Sequence, residues 1–146
     1  SVISSVKDNN THYSGVCLSD LVQIRKLIKM ISLSKVVFEN LNIKLSTVSS
    51  IVDLVSILSP AVALVKNIRS SLISYMPESK EEVGSISGLI GGILVDAAQI
   101  GSYMINFETA NEKASHLMNE ASLVAERKIK EEFADIPDLA PVVTKD

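Results

Sequence analysis

Between the Asp8-Asn9-Asn10 cluster and the first proline, Pro60, the chain places its aliphatic residues at the spacing of one helix face. Leu21, Ile24, Ile28, Ile31, Phe38, Leu41, Leu45, Val48, Val52 and Val55 follow in steps of three, four or seven, a repeat that aligns side chains along a helix and not along a strand. The spacing predicts one helix over about residues 12–58. At a rise of roughly 1.5 Å per residue that rod is ~70 Å long, more than twice the breadth of a compact domain of this size. A chain of 146 residues, 47% of them hydrophobic, suffices for one such core and not for two. Part of the stripe is therefore expected to need cover from another molecule, and the stripe is the candidate self-assembly surface.

Arg25, Lys26, Lys29 and Lys44 fall within an arc of roughly 100° on the other side of the same helix, taking 100° per residue. Three readings stay open for this basic face: a solvated surface, contact with anionic lipid, or contact with an acidic partner segment. Residues 1–50 hold six Lys/Arg against three Asp/Glu, whereas residues 101–146 hold five against nine. The asymmetry suits head-to-tail contacts or a fold-back of the tail. A net charge of -3 and the absence of Trp argue against nucleic acid as a partner.

Pro60 and Pro77 mark expected helix starts or bends. Helices are predicted over about residues 61–75, 78–103 and 110–133. The second opens with Glu78, Glu81 and Glu82 at its positive dipole end. Residues 86–107, ISGLIGGILVDAAQIGSYMINF, then carry no base and one acid, Asp96. Gly84, Gly88 and Gly92 recur every four residues, an arrangement open to close packing against another helix, to a softened hinge, or to a membrane span. Asp96 and Gln99 near the centre count against the span. The last helix carries a narrow stripe of Ala114, Leu117, Ala121, Val124 or Ala125, Ile129 and Phe133, as for a helix lying on a surface. The fold class is all-α and elongated, with one very long helix and shorter followers. Residues 1–135 form the helical core and residues 136–146 a flexible tail.

The residues offer little for catalysis. His12 and His116 are distant in sequence, and neither has a Cys or a Gly-flanked Ser as an evident partner. Glu112, His116 and Glu120 lie at i, i+4 and i+8, but ligands strung along ~12 Å of one helix cannot converge on one metal ion. The glycines of residues 84–92 lack the Gly-Lys-Ser/Thr ending of a phosphate loop. No enzyme activity, no cofactor and no metal are expected. Cys17, the single cysteine, excludes a disulfide framework and reads as a small core residue. No signal peptide is read, and the missing initiator Met suggests numbering that starts inside a longer protein.

Several segments, taken in order, resemble the archaeal CdvB-type branch of the ESCRT-III family. Residues 20–45, DLVQIRKLIKMISLSKVVFENLNIKL, are similar to that family's second long helix. Residues 48–77, VSSIVDLVSILSPAVALVKNIRSSLISYMP, resemble the next stretch, with its aliphatic-Pro break, Ile-Arg-Ser step and terminal Met-Pro. Residues 86–101 resemble the segment after it, and residues 120–133, EASLVAERKIKEEF, the last core helix. The resemblance covers about residues 12–135. It implies subunits that stack into filaments with copies of themselves and with paralogous ESCRT-III subunits, remodel membranes in cell division, and are taken apart by an AAA ATPase. It also implies a cytoplasmic protein, peripheral to the membrane at the division site.

Two departures from the pattern matter. Only residues 1–7 stand where the family's long basic first helix would end, so either the sequence is a piece of a longer chain or a neighbouring subunit covers the stripe. Ile136, Pro137, Leu139 and Pro141 loosely resemble the family's ATPase-docking motif, against the plainer reading of a helix terminator. Ser59-Pro60 and residues 105–109 are the expected hinges. Alternatives from other classes are a membrane-inserting, pore-forming helical protein that uses residues 86–107, and a binding module whose last helix docks on a partner.

Overall fold

The computed structural model describes the backbone of residues 2–133, and side chains from residue 15 onward apart from Val16. The described elements are all helical: α1 (Val2–Ser46), α2 (Ile51–Tyr75), a 3-10 turn (Pro77–Ser79), α3 (Lys80–Gly101) and α4 (Phe107–Glu132). The all-α, elongated architecture matches the sequence expectation, and α1, with 45 residues, is the very long helix. Its limits differ from residues 12–58. It starts ten residues earlier and stops at Ser46, where Ser46 and Thr47 hydroxyls donate to the carbonyls of Ile43 and Lys44 at 2.6 and 2.8 Å.

Four residues later α2 begins on a reciprocal cap. The Ser50 hydroxyl accepts from the Asp53 amide at 3.1 Å, and the Asp53 carboxylate accepts from the Ser49 hydroxyl at 2.9 Å. Such a cap satisfies amides that a continuous helix would have bonded in line, so it favours a break here. Pro60, the expected break, instead lies buried inside α2. Ser59 turns its hydroxyl back onto the Val55 carbonyl at 2.6 Å in that turn, and the packing of the flanking residues outweighs the missing amide.

α2 is the centre of the molecule. It packs against α1, α3 and α4, whereas the close backbone approaches of α3 are to α2 and the 3-10 turn. Two adjoining faces of α2 serve two clusters. Leu64 and Ile68 meet Val36 and Val37 of α1 and Ala114, Ala121 and Ala125 of α4. Leu58, Ala61 and Val65 meet Val83, Ile90 and Leu94 of α3, with Phe38 and Leu41 of α1 at the margin. A helix apolar on most sides is what a position between partners requires.

The α3–α4 junction is a tight one. Ser102 adopts the left-handed conformation at φ 56, and Ser102 and Tyr103 amides donate to the carbonyls of Gln99 and Ala98 at 3.2 and 2.9 Å, the Schellman closure of a helix end. The Tyr103 ring lies where a Cβ on Gly101 would go, so this position is held to glycine by close approach. Asn106 then caps α4 by accepting from the Thr109 amide at 3.0 Å. Residues 105–109, an expected hinge, thus contain the start of α4, and the 136–146 tail lies outside the described residues. Cys17 is exposed on α1 and not in a core.

Candidate assembly surfaces

Each stripe residue predicted from spacing lies on the outside or at the margin of the packed clusters. Leu21, Ile24, Ile31, Leu45 and Val52 are exposed, while Ile28, Phe38, Leu41, Val48 and Val55 are half-buried. Phe38, Leu41 and Val55 rest on the α2–α3 cluster. The face of α1 that is buried is a different one, Val36 and Val37 with Leu33 beside them; Ser34, also buried, satisfies its hydroxyl on the Met30 carbonyl at 2.8 Å. Val36 and Val37 lie roughly 100° or more from the mean direction of the stripe at 100° per residue. Among the large aliphatic residues left exposed on α1 are Leu18, Leu21, Ile24 and Ile31, each about half exposed, and Ile43 further along.

An uncovered ridge on α3 was not singled out from sequence. Ile86, Leu89, Ile93 and Ile100 lie along one exposed flank of α3, roughly 95° from its buried side at 100° per residue, and Ile100 is 73% exposed. The signal was present in the 3.5-residue recurrence of these positions, which the glycine repeat and the uniformly apolar composition obscured. Met104 and Phe107, both exposed, continue the apolar surface around the α3–α4 turn.

The glycine repeat is met by a neighbour at one position. A Cβ on Gly84 would lie 3.2 Å from the Arg69 guanidinium, which explains the small residue there, whereas Gly88 and Gly92 face open space within the chain. Among the described residues no helix packs closely on them.

The basic face is divided between two settings. Lys29 Nζ lies 2.7 Å from Glu126 Oε1 of α4, and in the opposite sense Lys128 of α4 lies 3.6 Å from Glu39 of α1. An acidic partner segment for Lys29 is therefore α4 of the same chain. Lys29, first by its hydrogen bond and then by its charge, holds the Glu126 carboxyl below its ordinary range. Lys26 is exposed and Arg25 half-buried. Lys44 stands further along, at a cleft of about 630 Å³ between α1, α2 and α4.

Leu41, Ile57, Pro60, Leu64 and Val124 line the floor of that cleft, with Lys113, Glu112, His116 and Glu120 at the rim. His116 Nε2 pairs with Glu120 Oε1 at 3.0 Å along the surface of α4. Among the described residues no three His, Cys, Asp or Glu side chains converge on a point where a metal ion would sit. The arrangement has the makings of packing surfaces, with hydrophobic ridges and charged margins. Ile136, Pro137, Leu139 and Pro141 lie outside the described residues.

By length and composition alone, Ile51–Tyr75 and Pro77–Gly101 are each apolar enough to cross a membrane. In this fold they pack on one another, with 33% and 28% of their most apolar stretches buried.

No family model and no solved structure matches the chain. Among the curated proteins that do match are two of Sulfolobus acidocaldarius. Cell division protein B1 is 26% identical over 136 residues, which covers 93% of this chain and 64% of that protein. Cell division protein B is 24% identical over 136 residues, which covers 93% of this chain and 52% of that protein. The chain thus spans between half and two thirds of the length of the relatives it matches.

Proposed function

With a CdvB-type family supported by cell-division relatives aligned along nearly the whole chain, we propose that this protein is a non-enzymatic helical scaffold acting in cell division, which polymerises into membrane-associated filaments and remodels the membrane. The observation that carries the reading is the apolar surface left without cover: the α1 residues from Leu18 to Ile31 and the exposed flank of α3. Burying such surface stabilises an assembly by roughly 25 cal/mol per Å², and contiguous patches of this kind mark interaction sites in soluble proteins. Paralogous ESCRT-III subunits as co-polymers, an AAA ATPase that disassembles the filament, and a cytoplasmic position at the division site complete the proposal. The basic residues Arg25, Lys26 and Lys44 are its candidate contacts for an anionic membrane surface.

Sedimentation velocity over a wide concentration range, with electron microscopy of the heavy species in the presence and absence of anionic vesicles, tests it. The expected result is concentration-dependent growth into filaments that decorate or deform vesicles. A strictly monomeric species at the highest concentration reached overturns the proposal. A second reading, membrane insertion, is favoured by the span-length apolar helices α2 and α3. It requires leakage of a vesicle-trapped dye that a charged residue at Ile93 abolishes, whereas a surface scaffold leaves the dye inside.

A further inference from the structure

We draw no further inference here: the strongest candidate, the apolar-floored cleft of about 630 Å³ between α1, α2 and α4, sets Lys44 and Lys113 against Glu112 and Glu120 at its rim, so its charge selects no partner and nothing in the structure shows what covers it.

Discussion

Ile68 is 1% exposed at the point where α1, α2 and α4 meet, and Ile68→Ala measures how tightly the three are joined. The substitution removes three carbons, which at about 0.8 kcal/mol each amounts to ~2.4 kcal/mol of lost transfer energy. Neighbours from three helices cannot all move in to fill the space, so a cavity term adds to it and brings the expected loss to about 4 kcal/mol. For a chain of this length roughly 3–4 °C accompanies each kcal/mol, so the melting temperature should fall by about 14 °C. The assay is reversible urea unfolding and thermal melting followed at 222 nm, on protein diluted below its association range so that assembly does not add to stability. Ile100→Ala, at a site 73% exposed, is the control and should stay within about 0.5 kcal/mol of the parent. A loss under ~1 kcal/mol for Ile68→Ala, or equal losses at the two sites, would refute the three-helix junction.

Ser50→Ala and Asn106→Ala each remove a side-chain acceptor from a helix start and should each cost about 1 kcal/mol in urea unfolding. Ser102→Gly relieves a left-handed conformation and should stabilise by roughly 0.5–1 kcal/mol, visible as a small rise in melting temperature. Glu126 and Asp53 both have carboxyls held below their ordinary values, by Lys29 and by the Ser49 hydroxyl respectively. A lowered folded-state value means stability that is present above the unfolded value and lost as pH falls through the folded one, so unfolding midpoints should decline on acidification below about pH 4.5. Glu126→Gln should flatten part of that decline, and the change is small because the ion pair is half exposed and such pairs contribute ~0.2–1 kcal/mol.

The helices were legible because their aliphatic residues recur at helical intervals and because Pro77 and the Ser102–Asn106 region interrupt them. Two boundaries were misplaced for one reason. Proline is a conspicuous breaker, so Pro60 was weighted above Ser49, Ser50 and Asp53. Yet a hydroxyl followed three residues later by a carboxylate is itself a helix-start signal, and it is there that the chain turns. The aliphatic residues of α1 are periodic, but periodicity does not say which of two apolar faces is inside. Val36 and Val37 are buried because α4 returns alongside them, a long-range fact that no local spacing contains. The partner of Lys29 was hidden likewise, since Glu126 is nearly a hundred residues away. On α3 the exposed flank was masked by composition, because a segment apolar on nearly every side has no contrast from which to read a direction.

The buried side of α4 has a consequence for the order in which the molecule loosens. Its fully covered residues are Ala110, Ala114, Ala121 and Ala125, each with a single methyl group in the interface, whereas α2 and α3 interlock through leucine, isoleucine and valine. Methyl-sized anchors let two backbones lie near one another but give little adhesion per residue, and the half-exposed charge pairs beside them add little more. Under native-state hydrogen exchange the amides of α4 should therefore open as a unit well before those of the α2–α3 pair. Peeling away this weakly glued terminal segment would leave the central helical hairpin standing and uncover Val36, Val37 and Leu64.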